Sequence, residues 1–177
     1  MVLIGPECTG KTWLAGALAA HFGVPWSAEY AREYVERHGR NLGYEDVDPI
    51  GRGQLAGEEA ALARAASEGA PFVLLDTDLV STLVYSCHYY GECPPWIEGE
   101  ARRRMGDLYL LHHVDVPWVS DGAQREQPER RVELLVRFRE TLSLLEARVF
   151  EIAGDWDERL ARAIAAIGGV LAGSPKG

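Results

Sequence analysis

Residues 5–12 read Gly-Pro-Glu-Cys-Thr-Gly-Lys-Thr. Four apolar residues, Met1 to Ile4, precede them, and an Ala/Leu-rich run from Lys11 to Phe22 follows. Two glycines, a lysine and a threonine at this spacing fit the phosphate-binding loop pattern G-x-x-x-x-G-K-[ST]. The glycines let the backbone curl so that successive N–H groups point inward. Those groups and the N-terminus of the next helix cradle phosphate oxygens. In such a loop Lys11 reaches the β- and γ-phosphates, and the Thr12 hydroxyl is a Mg²⁺ ligand. Gly5, Glu7, Cys8, Thr9, Gly10 and Trp13 belong to the same nucleotide-binding stretch. A glycine-rich turn that only caps a helix is the simpler alternative. The position between a strand and a helix favours the phosphate loop.

Lysine occurs twice, at Lys11 and Lys176; every other basic side chain apart from histidine is arginine. A compact ammonium on a thin stem slips between phosphates where a planar guanidinium does not. The lysine inside the motif is therefore a chemical choice.

Outward from the loop, apolar runs alternate with helical patterns. Strands are expected at Met1–Ile4, Val24–Ala28, Phe72–Leu75, Leu108–His112 and Val149–Ile152. Helices are expected at Lys11–Phe22, Glu29–His38, Asp48–Glu68, Thr77–Tyr90, Pro95–Met105, Val132–Ala147 and Asp155–Ile167, with Asp48 capping before Pro49. Strand–helix alternation implies parallel pairing, and nearly continuous apolar strands imply cover on both faces. The expected fold is α/β: a P-loop NTPase/kinase-like three-layer sandwich around a five-stranded parallel sheet. One domain spans 1–172, with a lid at about 117–131 and a flexible tail at 173–177.

Ligands of such sheets gather at the carboxyl ends of the strands, where Glu29, Asp76 and Asp115 fall. Asp76 ends an apolar strand beside the loop and is a candidate Mg²⁺ ligand and catalytic group, or else a helix cap. Glu29, with Tyr30 and Arg32, follows the second strand. Its carboxylate could take a proton from an attacking hydroxyl, or the segment is a charge-paired surface helix. Arg125 and Arg130 lie in a polar stretch suited to closing over a transferring phosphoryl group, or else pair with nearby glutamates. Aromatic residues cluster from Tyr85 to Trp96, with Trp118 further on, and could sandwich a planar, cationic ring or simply pack.

The chain has 177 residues, 47% hydrophobic and 25% charged, and a formal net charge of −9. That composition suits one globular domain and argues against nucleic acid as the main ligand. Three cysteines form no disulfide framework, so a cytoplasmic setting is expected. No run of about 18 apolar residues points to a membrane span.

GPECTGKT, EYAREY, Gly53-Gln54, LLDTD, Tyr85-Ser86, YYGECPPW, DLYLL and DVPWVSDG occur in this order. Together they resemble the nicotinamide riboside kinase domain of the NadR type, from Met1 to about Ile167. The phosphate loop is shared by many enzymes; EYAREY with LLDTD and DVPWVSDG is more specific. The resemblance implies ATP-dependent phosphorylation of the 5′-hydroxyl of nicotinamide riboside, giving nicotinamide mononucleotide. It implies ATP and Mg²⁺ as cofactors, and no nucleic-acid or membrane partner; it leaves homo-oligomerisation open. It puts Asp76 and Asp78 in the metal and sugar region and Glu29 near the acceptor. Tyr85, Tyr89, Trp96 and Trp118 become candidates for the ring, Asp115 and Arg125 for the lid entrance, and Gly154 and Asp155 for the adenine. Cys8 stands where the family usually has serine. Longer relatives of this type add a DNA-binding unit and a nucleotidyltransferase domain; because the sequence opens on the first strand and also lacks an H-x-G-H motif, neither role is expected here. The rival readings are a kinase for another nucleoside or nucleotide, and a non-catalytic ATP-binding regulator.

Overall fold

Five short strands build one sheet: β1 (Val2–Ile4), β2 (Trp26–Ser27), β3 (Leu74–Asp76), β4 (Tyr109–His112) and β5 (Val149–Ile152). Their order is β2-β3-β1-β4-β5, and every pairing is parallel. This computed structural model describes residues 1–39, 41–117 and 130–173. β1 lies at the centre, with Val2 opposite Leu75 on one side and Tyr109 on the other.

Side chains alternate across a strand, so each central strand feeds two cores. Val2, Ile4, Leu75, Tyr109 and Leu111 pack with Val84, Ile97 and Phe138. Those three come from α4 (Leu79–Tyr90), α5 (Pro95–Arg103) and α6 (Arg131–Leu144). Leu3, Leu74, Leu108, Leu110 and Ile152 pack on the other face with Leu14, Leu18, Ala163 and Ile167. These belong to α1 (Lys11–Phe22) and α7 (Trp156–Gly173). Cover on both faces explains why the strands read as unbroken apolar runs. The three-layer α/β expectation holds.

Two further helices, α2 (Tyr30–His38) and α3 (Val47–Glu68), pack on each other, with α3 also against β2 and α4. Some ends moved. A 3-10 turn, Tyr44–Asp46, leads into α3, so Asp48 lies inside the first turn rather than capping it. Its carboxylate instead accepts from Arg52 and Trp96. The second strand is shorter than expected, and α4 starts at Leu79 because Asp78 caps it, accepting from the Val80 N–H. Helix α7 continues through Gly173, where the tail was expected to begin; 174–177 lie outside the described residues. Of the expected lid, only Pro117, Arg130 and Arg131 are described.

Candidate functional site

The loop between β1 and α1 has the backbone that its glycines permit. Gly5 has φ 138°, and a Cβ there would sit 2.9 Å from the His112 carbonyl oxygen. Gly10, the residue before α1, has φ 82°. Cys8 is also left-handed, at φ 52°. No side chain caps α1, so its first N–H groups face the loop as an anion site requires. Lys11 is buried, and its Nζ donates to the carbonyls of Gly5 (3.0 Å) and Pro6 (2.8 Å). Its charge is thereby held inside the curl. The Thr9 hydroxyl donates to the Pro6 carbonyl at 2.8 Å and fixes the turn.

Asp76 ends β3 next to this loop and is fully buried. One oxygen accepts from the Thr12 hydroxyl at 2.5 Å; the other, Oδ1, is buried with no hydrogen-bond partner. An orphaned carboxylate oxygen beside a threonine hydroxyl fits Mg²⁺, which takes one or two protein ligands and completes its shell with phosphate and water. Among the described residues no group of three or more His, Cys, Asp or Glu gathers as a dedicated metal cage, so this sparse pair is the candidate. Burial pushes the Asp76 carboxyl up to about 6, and Glu29 adds to it, while Lys11, Thr12 and Arg32 pull the other way.

A cavity of about 360 Å³ is lined by Thr77, the residue after Asp76. Glu29, Thr77, Ser81, Tyr85, Tyr89 and Tyr90 are among its walls. The Tyr85 and Tyr89 rings are nearly parallel, at 10° and 6.1 Å. Tyr85 donates to Glu7 of the phosphate loop at 2.9 Å, so the loop and the cavity share a wall. Tyr30 contributes differently: its backbone N–H donates to Gln54, and its ring covers Gly53.

Several expected residues are elsewhere. Asp78 is buried and engaged by the Val80 N–H and by the Tyr109 hydroxyl (2.7 Å), away from the cavity wall. Trp96 sits on α5; its indole N–H donates to Asp48 at 2.7 Å, and Arg52 covers its ring. The break at Gly91 separates it from the tyrosines of α4. Asp115 accepts from the Gly154 N–H at 2.7 Å and from Arg159. Burial alone would raise its carboxyl, but these donors hold it below the usual range. Asp115 is thus a brace between loops. Arg130 is exposed at the start of α6, and its neighbour Arg131 reaches the loop instead, donating to the Cys8 carbonyl at 3.2 Å. Trp118 and Arg125 lie outside the described residues.

Other contributors escaped the sequence reading. Arg159 is almost fully buried and donates to the carbonyls of Gly154 (2.8 Å) and Thr9 (3.2 Å). His112 meets the Thr9 carbonyl at 3.0 Å, and burial pushes its imidazole down to about 3, so it stays neutral. Gln54 joins the Tyr30 N–H to the Thr77 carbonyl, each at 3.0 Å. Trp156 covers Gly10 and meets Trp13 edge-on. The signal for two of these was a polar residue on a buried stripe. Arg159 lines up with Ala163, Ile167 and Val170, and Gln54 with Glu58, Ala61 and Ala65.

The family model described as "AAA domain" matches residues 1–159. The trifunctional NAD biosynthesis/regulator protein NadR of Escherichia coli (strain K12) is 30% identical over 172 residues, covering 93% of this chain and 40% of that protein. Its counterpart from Salmonella typhimurium is 30% identical over 126 residues, covering 69% of this chain and 30% of that protein. The chain thus spans less than half the length of the curated relatives it matches. Among solved structures, a NadR protein in complex with NR superposes with a TM-score of 0.83 at 26% identity, over 98% of this chain and 51% of the other. A NadR protein in complex with NAD and AMP-PNP gives 0.79 at 25%, over 99% and 50%. A deoxyadenosine kinase from M. mycoides with bound dATP gives 0.62 at 13%, over 94% and 97%, a likeness of fold alone.

Proposed function

This chain belongs to the AAA-domain family of P-loop proteins and is homologous to part of NadR, and from that premise we propose that it is an ATP-dependent kinase for nicotinamide riboside. The product is nicotinamide mononucleotide. One observation carries the reading: Asp76 bonds the Thr12 hydroxyl at the mouth of the phosphate loop while Glu29, close enough to raise it, lines the adjoining tyrosine-walled cavity. A donor site and an acceptor site therefore meet at one pair of carboxylates. The relatives that bind NR and AMP-PNP support the same pairing of ligands.

The chain's residues divide the work. Loop N–H groups and the Lys11 ammonium orient the terminal phosphates and offset the charge that spreads over them during transfer. Thr12 and Asp76 would hold Mg²⁺, which supplies charge neutralisation at the β- and γ-phosphates. Glu29 accepts the hydrogen bond, and then the proton, of the riboside 5′-hydroxyl. Tyr85 and Tyr89 offer ring faces to the cationic pyridinium. Arg131 adds positive charge behind the loop. Most of the rate gain comes from positioning and charge stabilisation.

Incubation with ATP, Mg²⁺ and a panel of nicotinamide riboside, adenosine, deoxyadenosine and thymidine tests this. Product is read by chromatography. Nicotinamide riboside should be preferred in kcat/KM by at least about tenfold. Turnover of another nucleoside with none of nicotinamide riboside would move the assignment to that nucleoside. ATP binding with no product from any acceptor would favour a regulator.

A further inference from the structure

Gln54 stands inside α3 and is buried. Its side-chain amide spans two backbone groups from different elements. The Oε1 accepts from the Tyr30 N–H, and the Nε2 donates to the Thr77 carbonyl, each at 3.0 Å. A carboxamide offers an acceptor and a donor side by side, which a carboxylate or an ammonium does not. Each bonded group lies one residue from a carboxylate of the site. Tyr30 follows Glu29, and Thr77 follows Asp76.

The two segments that Gln54 joins need such a partner. The Tyr30 N–H is the first of α2, where the helix itself supplies no acceptor. Thr77 has φ 69°, a left-handed backbone that β-branched residues avoid. A conformation of that kind persists where the surroundings fix it. Here the Thr77 N–H donates to the Leu3 carbonyl at 3.0 Å, and Gln54 holds the Thr77 carbonyl. Two glycines, one helical turn apart, let α3 come close enough to do this. A Cβ on Gly53 would collide with the Tyr30 ring, and one on Gly57 would lie 2.9 Å from the Ser27 hydroxyl.

We propose that Gln54 is a positioning residue for phosphoryl transfer: through the backbone of Tyr30 and Thr77 it fixes Glu29 relative to Asp76. The proton acceptor and the metal-side carboxylate then meet the transferring group in one geometry. The proposal rests on the kinase reading above. Gln54 also lines the cavity, so the competing role is direct contact with the acceptor, and kinetics separates the two. Loss of a binding contact raises KM, whereas loss of alignment lowers kcat, and a misplacement of about 1 Å costs up to about a hundredfold.

Gln54→Met keeps the length of the side chain and removes both hydrogen bonds. Gln54→Glu keeps the acceptor for Tyr30 and, when ionised, loses the donor to Thr77. Steady-state kinetics of the full chain with nicotinamide riboside, ATP and Mg²⁺, at a temperature well below each variant's melt, tests the proposal. Both variants should lose about tenfold to a hundredfold in kcat, with KM for the riboside and Kd for ATP within about threefold of the parent. In a Glu29→Gln background, Gln54→Met should cost less than about threefold more, because the group it aligns no longer takes a proton. Unchanged kcat overturns the proposal, and so do losses that multiply in the double variant. A KM effect larger than the kcat effect overturns it in favour of direct contact. Failure of both variants to fold overturns it in favour of a purely structural brace. An active parent with any of these results strikes the proposal alone; a parent inactive on nicotinamide riboside strikes the kinase reading and the proposal together.

Discussion

At Lys11 the fold sinks an ammonium, 7% exposed, into a curl of carbonyls and gives it two of them as partners. Burying a cation is costly unless it is hydrogen-bonded, and these two carbonyls offset part of that cost. Lys11→Ala should lower kcat at least about a hundredfold, the scale seen when one preorganised charge-stabilising donor is removed. Lys11→Arg should not restore it, because the planar fork does not fit between the same carbonyls. Steady-state kinetics beside a thermal melt checks both; an active, folded Lys11→Ala variant would contradict the mechanism. Glu29→Gln separates roles on the acceptor side. Loss of a proton acceptor should lower kcat by about 10²–10⁴ with little change in ATP affinity, measured by single-turnover kinetics and nucleotide titration.

The junction between β1 and α1 makes glycine substitutions diverge in sign. Gly5→Ala places a Cβ against the backbone of His112 at a φ that L-residues avoid, and backbone cannot step aside. It should destabilise by about 1–3 kcal/mol or more. Gly16, in the middle of α1, has open space where a Cβ would go. Gly16→Ala should stabilise by about 0.5–1 kcal/mol through helix propensity. Urea unfolding of both variants measures the contrast. Elements were also where the sequence was most readable. Gly23, Gly69 and Gly91 each stop a helix in the left-handed conformation, and apolar runs bounded by such stops could be little else than strands between helices. Site membership was less readable. Tyr85 and Trp96 look like one aromatic cluster in the chain, yet the turn after Tyr90 sends the indole to Asp48 and leaves the tyrosines on the cavity. Asp78 follows Asp76 by two residues, but the start of α4 turns it to Tyr109. Which of two neighbouring carboxylates faces a ligand depends on packing from distant segments, and spacing alone does not encode it.

The molecule as a whole carries buried acid behind its sheet. Glu58 is 3% exposed, with Oε1 unpartnered; Arg104 stands 3.9 Å from its other oxygen. Burial, and then Asp78, push its carboxyl up to about 8, with Arg104 and Gln54 pulling down and Glu59 pushing up. Asp76 and Asp78 are each raised to about 6. A carboxyl raised on folding contributes stability that is complete below its ordinary value near 4 and is lost as pH rises through the folded value. The protein should therefore melt lower at pH 9 than at pH 5.5. Glu58→Gln, neutral at both, should regain about 1 kcal/mol at pH 9, roughly 2–4 °C in Tm, and change little at pH 5.5. Melting curves across that range check it, and a variant gain independent of pH would count against it. The same inventory of charge has a practical side. Lysine side chains number two in the sequence, Lys176 near its end and the one in the curl. An acylating reagent thus has one lysine target within the described residues, and mass-mapped protection of that position by added ligand becomes a direct gauge of occupancy, with no dye, tag or radiolabel needed.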